Sequence, residues 1–117
     1  MEKKIIEVLK ELNIPMANLG FTYLKESIKA VLIEEKSLTG ITKKDGLYDF
    51  VARKHKSTMS RVERAIRHAI EVAWNRGNTE TLNDLFGYTV SNGKGKPTNS
   101  EFIALISDKV RLQYNIK

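Results

Sequence analysis

The sequence predicts an all-α fold of about six helices, arranged around a helix-turn-helix whose second helix is long. Apolar residues recur at helical spacing along most of the chain, and no segment alternates convincingly as a strand would. Two amphipathic helical patterns also meet at a short polar break, Lys56-Ser57-Thr58. A short helix, a tight turn and a longer helix with an arginine-rich face is the layout of a DNA-binding helix-turn-helix.

Two helices are predicted before this motif. The first covers residues 2–13, and we expect Pro15 to end it because proline disfavours helical geometry in the residue before it. Asn18 is the expected N-cap of a second helix that extends to about Lys36, and a polar loop at residues 37–46 follows. The apolar faces are Ile5, Ile6, Leu9 and Leu12 in the first helix, and Phe21, Leu24, Ile28, Val31 and Leu32 in the second.

The helix-turn-helix is predicted over residues 47–77, with Lys56 in the turn where glycine is common and Gly77 as a left-handed C-cap. Its first helix, residues 47–55, is expected to bury Leu47, Phe50, Val51 and Ala52. At roughly 100° per residue, the second helix, about residues 59–76, places its apolar residues within an arc of about 140°. They are Val62, Ala65, Ile66, Ala69, Ile70 and Ala73. The opposite arc holds Ser60, Arg61, Arg64, Arg67, His68, Glu71 and Asn75.

Two more helices are predicted after the motif. Asn78 or Thr79 is expected to cap a short helix through Phe86, which Gly87 stops. Residues 88–97 are the least regular part of the chain. Thr98-Asn-Ser-Glu101 forms a capping box that opens the last helix, and its predicted inner face is Phe102, Ile103, Ile106 and Val110, with Leu105 at its edge.

Length and composition predict a single domain, residues 1–117, in a reducing cytoplasm. The chain has no Cys, so it can form neither disulfides nor thiolate metal sites. No apolar run approaches the roughly 20 residues of a membrane span, and no signal peptide is recognisable. The net charge of +6 lies entirely in residues 41–117, where fourteen Lys and Arg face eight acidic residues. That concentration favours a polyanionic partner, although it would also aid solubility.

The sequence offers little for catalysis, and we expect neither a metal nor a cofactor. Only His55 and His68 are available as neutral ligands, and Gly93-Lys94-Gly95-Lys96 lacks the spacing of a phosphate-binding Walker loop. That segment is instead either a basic surface loop or a contact to a nucleic-acid backbone through Lys94 and Lys96.

Residues 60–77 resemble the signature of the effector domain of stage zero sporulation protein A. This is the C-terminal DNA-binding half of the master sporulation response regulator of endospore-forming bacteria. Residues 85–90 and 96–104 resemble two further blocks of that family, and residues 23–28 do so more loosely. The similarity spans essentially the whole chain.

The resemblance implies an all-helical domain that binds short DNA boxes as tandem copies, so that a second copy is a partner. Activation or repression of transcription would then depend on where the boxes lie. By similarity, Arg61, Glu63 and Arg64 face base edges, as expected for arginine on guanine and a carboxylate on cytosine. Further candidate contacts to bases or backbone are Ser60, Arg67, His68, Lys94, Lys96, Thr98 and Asn99. The alternative for Glu63 is an i,i+4 pair with Arg67.

The resemblance also implies contact with the RNA polymerase sigma factor. The matching positions are Thr81, Phe86, Gly87 and Val90, although Phe86 and Val90 have the alternative of covering the core. No receiver domain precedes Met1, so we expect either an excised effector domain of a two-component regulator or a stand-alone relative.

Two departures from the family matter: the loop at residues 42–46, and the first helix of the motif, which matches the family poorly. The loop at residues 42–46 is longer than usual by a residue or two. Family members typically have proline where Asp49 stands, an aromatic residue at His55 and asparagine at Lys56. The recognition helix itself is intact, so we expect the DNA box to be kept.

The leading hypothesis is therefore a sequence-specific transcription factor located at the nucleoid. A second is a protein-interaction module that docks another regulator through its basic helical face. A third, an RNA-binding helical domain, lacks exposed aromatic residues for stacking on bases, since Trp74 and Phe50 are expected in the core. An enzyme is the weakest interpretation.

Overall fold

The computed structural model describes residues 1–76, 79–86 and 96–114; within 79–86 the described side chains are Glu80, Thr81, Leu82 and Asp84. The predicted all-α class is confirmed, because these residues form six helices and no strand. The helices are α1 (Glu2–Glu11), α2 (Leu19–Ile33), α3 (Leu47–Lys54), α4 (Met59–Arg76), α5 (Thr79–Phe86) and α6 (Asn99–Gln113). None of the described helices is both long and apolar enough to cross a membrane.

Helix α2 is the centre of the fold, and α1, α3, α4 and α6 all pack against it. A helix surrounded in this way must be apolar on more than one side, and α2 buries Phe21, Tyr23, Leu24, Ile28 and Leu32 around its circumference. Helix α4 instead places a single apolar stripe on the core. Its buried residues are Val62, Ile66, Ala69, Ile70 and Ala73, as predicted, while Ala65 is only partly buried.

The backbones of α2 and α4 lie close together at Gly20. A Cβ atom added to Gly20 would collide with the carbonyl oxygen of Ala65 and would lie 2.6 Å from the Cβ atom of Ala69. Small residues on both helices therefore permit this separation, and any larger side chain would push the helices apart. The contact fixes the position of α4 along its whole buried stripe.

The first two helices end earlier than the sequence predicted. Helix α1 stops at Glu11, and Asn13 adopts a left-handed conformation with φ of 63°. Asparagine tolerates that conformation, so Asn13 rather than Pro15 ends α1. Helix α2 stops at Ile33 instead of Lys36, and left-handed Glu35 (φ 53°) follows it. The N-cap prediction for Asn18 is confirmed, because its Oδ1 accepts a hydrogen bond from the Gly20 N–H at 2.7 Å.

The predicted core of α3 needs one correction. Phe50 is only half-buried, and the Lys36 Nζ lies 4.9 Å from the centre of its ring. Tyr48 is buried instead, together with Leu47, Val51 and Ala52. These four lie at the spacing i, i+1, i+4 and i+5, so the buried face is rotated away from Phe50. Trp74, also expected in the core, is half-buried as well.

The turn between α3 and α4 contains a lysine in a conformation that favours glycine. Lys56 has φ of 52°, and the Ser57 N–H donates to the Ala52 carbonyl oxygen at 2.8 Å. Thr58 then caps α4, because its Oγ1 accepts from the Arg61 N–H at 3.2 Å. The geometry of a helix-turn-helix is thus kept, although the usual turn residue is absent.

Asp49 and its contacts hold the loop before α3. The Asp49 Oδ2 accepts a hydrogen bond from the Asp45 N–H at 2.8 Å, and the Arg53 guanidinium lies 3.0 Å from Asp49 and 3.3 Å from Asp45. A proline at Asp49 could not form these contacts. Asp49 therefore stabilises the conformation of this loop.

Helix α6 begins as predicted. The Thr98 Oγ1 accepts from the Glu101 N–H at 3.1 Å, and the Glu101 Oε1 accepts from the Thr98 N–H at 2.9 Å, which completes the capping box. Phe102, Ile103, Ile106 and Val110 are buried as expected, Ser107 joins them, and Leu105 is partly buried. The predicted roles of Gly77, Asn78, the Thr79 side chain and Gly87 lie outside the described residues.

An ion pair joins α3 to α2 beside the core. The Lys54 Nζ lies 2.8 Å from the Glu26 Oε2, and Glu26 is a nearly buried residue of α2. Burial raises the pKa of Glu26, but the hydrogen bond from Lys54 and the charges of Lys29 and Lys54 outweigh it. The net pKa therefore lies below the ordinary value.

We expect Lys56→Gly to raise the free energy of unfolding by about 0.5–1 kcal/mol. A left-handed residue with a Cβ costs roughly 1–2 kcal/mol, and part of the gain is offset by the greater entropy of glycine in the unfolded chain. Urea denaturation measures the change. Lys56→Ala is the control, because it removes the same side chain and keeps the Cβ. Equal stability of the two variants would contradict the explanation from backbone strain.

We expect Lys54→Met to destabilise the fold by about 1 kcal/mol at pH 7 and by much less in acid. Because the pKa of Glu26 is lowered by folding, the stability it contributes is present above its unfolded pKa, near 4.5, and is lost as the pH falls through the folded value. Urea denaturation of both proteins from pH 7 to pH 3 tests this. Lys3→Met, at an exposed position of α1, is the control. A difference between Lys54→Met and wild type that is independent of pH would refute the linkage.

Candidate nucleic-acid interface

The face of α4 opposite its apolar stripe is open to solvent. Because α2, α3 and α6 pack around the buried side of α4, the polar arc predicted from the sequence points outward. Ser60, Arg61, Arg64, Arg67 and His68 are all exposed. Helix α4 runs from Met59 to Arg76, which corresponds to roughly 27 Å at 1.5 Å per residue.

Arg61 and Arg64 are available to a partner. Among the described residues, neither forms an ion pair, and both side chains are exposed. Positions three apart lie on the same side of a helix, so the two guanidinium groups project from adjacent turns. Each guanidinium carries five N–H donors in a planar fork that matches guanine or phosphate.

Glu63 and Arg67 form an ion pair in the unbound chain. The Arg67 Nη1 lies 3.4 Å from the Glu63 Oε1 at i,i+4 spacing, which is the alternative that the sequence left open. Such a pair contributes only a few tenths of a kcal/mol. The pairing therefore does not prevent either side chain from engaging a base or a phosphate.

Asn99 links three helices beneath this face. Its Nδ2 donates to the Tyr48 hydroxyl at 2.9 Å and to the Glu63 carbonyl oxygen at 3.2 Å. The amide nitrogen of this candidate DNA contact is thus engaged inside the protein, joining α6 to α3 and α4. Burial raises the pKa of the Tyr48 phenol, and the hydrogen bond from Asn99 opposes that rise.

Sequence reasoning missed the role of Tyr48. The available signal was a tyrosine next to Leu47 on the face that packs against α4. A buried tyrosine hydroxyl usually has a hydrogen-bond partner, so its presence there indicates a polar neighbour. The neighbour itself, Asn99, lies far away along the chain and could be identified only from the fold.

Lys96 lies beside the middle of α4. Its Nζ is 2.9 Å from the Glu71 Oε1, and the next residue, Pro97, is buried. The hydrogen bond and charge of Lys96 lower the pKa of Glu71. Lys94, the other lysine predicted to contact a backbone, lies outside the described residues.

A groove of about 410 Å³ runs between the start of α6 and α4. The basic side chains on it are Arg67 and Lys96, and Tyr48 and Pro97 also line it. The groove lies directly next to the exposed face of α4. Thr98, whose hydroxyl caps α6, contributes to the same wall.

The fold brings most of the predicted DNA contacts together. Ser60, Arg61, Arg64, Arg67 and His68 share the exposed face of α4, and Glu63 is half-buried on the same helix. Lys96, Thr98 and Asn99 line the groove next to α4. Of the positions predicted to contact a sigma factor, Thr81 is half-buried on α5, while the Phe86 side chain, Gly87 and Val90 lie outside the described residues. Within the described part of the chain, no three His, Asp or Glu side chains converge as metal ligands.

A long basic helix, held by its apolar face and preceded by a short helix and a tight turn, defines a DNA-binding domain of the helix-turn-helix class. The family model described as Sporulation initiation factor Spo0A C terminal matches residues 5–110. The match covers most of the chain, which therefore belongs to this family, and the resemblance inferred from the sequence is confirmed. The family is one of DNA-binding domains that regulate sporulation, not a family of enzymes.

We expect Asn99→Asp to lower the free energy of unfolding by about 1 kcal/mol. A carboxylate cannot donate to the Glu63 carbonyl, and an unsatisfied buried acceptor costs about 1–3 kcal/mol, partly offset by a favourable charge near the start of α6. Urea denaturation gives the change. Ser100→Asp is the control, because it adds the same charge one residue further along α6. If both variants are as stable as wild type, the link through Asn99 is not stabilising.

Proposed function

We propose that this chain is a sequence-specific regulator of transcription that inserts α4 into the major groove of DNA. The observation that carries the proposal is the exposure of Arg61 and Arg64, which form no ion pair among the described residues, on a helix whose opposite face is packed against α2. A helix about 10–12 Å across fits a groove about 12 Å wide. Family membership supplies the general activity, and the geometry supports this mode of binding.

The candidate contact residues on and beside α4 have the following proposed roles. Arg61 and Arg64 donate in pairs to guanine O6 and N7, and Glu63, once released from Arg67, accepts from a cytosine amine. Ser60, Arg67, His68, Lys96 and Thr98 contact phosphates or flanking bases and fix the position of the helix on the duplex. Asn99 is a further proposed contact to a base or the backbone, and its hydrogen bond to the Glu63 carbonyl oxygen at 3.2 Å supports an additional role in positioning α4.

Further proposals rest on the resemblance. The chain acts as one domain over residues 1–117, binds tandem boxes with a second copy, and activates or represses according to box position. A receiver domain regulates it when it belongs to a longer two-component protein. Activation uses a sigma-factor contact at Thr81, Phe86, Gly87 and Val90. These events take place at the nucleoid in the cytoplasm.

The test begins with selection of a preferred duplex from a random library by the wild-type protein. We expect Arg64→Ala to weaken binding to the selected duplex by about 1–3 kcal/mol and to weaken binding to a scrambled duplex far less. Fluorescence anisotropy across a series of salt concentrations measures both. The preference should persist as salt weakens the phosphate-dependent part of the affinity.

Arg111→Ala is the matched control, since it removes the same charge near the far end of α6, where Arg111 pairs with Asp108 at 2.7 Å. If Arg64→Ala lost equal affinity for the selected and scrambled duplexes, Arg64 would be assigned a contact to phosphate and not to a base. If selection yields no sequence that the wild-type protein prefers, the proposal of sequence-specific DNA recognition is refuted. The interpretation as a protein-interaction module would then be favoured.

A further inference from the structure

The cations around the polar face of α4 fall into two groups. Arg67 pairs with Glu63 at 3.4 Å, and Lys96 pairs with Glu71 at 2.9 Å. Both carboxylates belong to α4 itself. The arginines proposed to contact bases have no such partner in the described part of the chain. Arg67 and Lys96, two cations proposed to contact the DNA backbone, are therefore held by carboxylates of the recognition helix, whereas Arg61 and Arg64 form no ion pair with any described residue.

The Lys96–Glu71 pair differs from an ordinary pair along one helix. It joins α4 to the segment that leads into α6, and buried Pro97 fixes the chain directly after Lys96. The ammonium group thus reaches Glu71 from an anchored backbone. Both side chains are still 41–44% exposed, so solvent and a phosphate can reach the pair.

The surroundings of Glu71 are strongly cationic. Its pKa is lowered first by the hydrogen bond and charge of Lys96 and then by the charges of His68 and Arg67. Its carboxylate is therefore ionised at neutral pH. It lies close to three of the groups that the proposed function places near DNA.

We propose that Glu71 is a specificity-determining residue that occupies Lys96 and so limits contact between the protein and the phosphates of arbitrary DNA. The inference rests on the proposed function. Binding to random duplex depends on phosphate contacts, so a lysine that is paired with a carboxylate of its own chain lowers that binding. On the preferred sequence, the contacts of Arg61 and Arg64 with bases fix the position of the DNA backbone. A phosphate can then replace Glu71 as the partner of Lys96. An acidic group that weakens binding to random duplex more than binding to the preferred duplex increases the ratio of the two affinities, which is the sequence specificity.

Neutralising the carboxylate by Glu71→Gln tests the inference. We expect random duplex to be bound about two- to five-fold more tightly, in line with the strength of an exposed ion pair. The salt dependence of that binding should become steeper by about 0.9, the value for one added phosphate contact. Affinity for the selected duplex should rise less, so that the ratio of selected to random affinity falls. Unchanged random binding with an unchanged salt dependence would overturn the inference.

Two further variants identify the cause of any gain. In the double variant Glu71→Gln with Lys96→Gln, the gain in random binding should disappear, because no lysine is released. A gain that persists there would mean that Glu71 repels DNA directly, which overturns the role of Lys96. Glu7→Gln is the matched control, since it makes the same charge change and frees Lys4 from a 3.5 Å pair on α1. An equal gain from Glu7→Gln would reduce the effect to net charge and refute the inference.

A titration without DNA tests the pair itself. By NMR, the Glu71 carboxyl should titrate at a higher pH in Lys96→Gln than in the wild-type protein, and an identical titration would overturn the pairing.

The DNA-binding experiments distinguish a failure of this inference from a failure of the proposed function. If the wild-type protein prefers no duplex, the proposed function is refuted. If the preference exists and Glu71→Gln changes neither random binding nor its salt dependence, only the role of Glu71 fails.

Discussion

The close packing of α2 against α4 at Gly20 is the constraint on which the rest of the structure depends. Gly20 lies opposite Ala65 and Ala69. Because it has no Cβ, its backbone can pack directly against these two residues of α4. Helix α4 has only one apolar stripe, and that stripe packs on α2. The basic arc on the opposite side of the helix therefore faces solvent. The exposure of Arg61 and Arg64 therefore follows from a contact on the other side of the helix.

Polar links at the margin of the core complete the support of α4. Lys54 ties α3 to α2 through Glu26, and Asn99 ties α6 to both α3 and α4 through Tyr48 and Glu63. Apolar packing alone resists separation of helices more than it resists sliding or rotation, since it has little directional preference. Hydrogen bonds have preferred geometry, so they fix how α3 and α6 sit against the recognition helix.

The sequence predicted the features that depend on local periodicity and missed those that depend on distant neighbours. Helix α4 was predicted with its observed bounds because five turns of regular pattern leave little ambiguity, and the exposed arginine face follows from the same spacing. The rotated face of α3 that buries Tyr48 and the hydrogen-bond partners of Asn99 both depend on tertiary contacts. The pair of Lys96 with Glu71 joins parts of the chain that no helical spacing relates.

Ion pairs reduce the number of cations that are available to DNA, although the net charge stays at +6. The excess of basic residues lies after residue 40, yet many of those cations have carboxylate partners: Arg53, Lys54, Arg67, Lys96 and Arg111. Ion pairs of this kind cancel much of the field that a distant polyanion would feel. Within the described residues, Arg61 and Arg64 remain unpaired near the start of α4. Lys43, Lys44, Lys56, Arg76 and Lys109 also form no ion pair with a described residue, so unpaired positive charge is not confined to α4. Arg61 and Arg64 are the unpaired cations on the face where the base contacts are proposed, and there the electrostatic attraction and the recognition chemistry favour the same orientation.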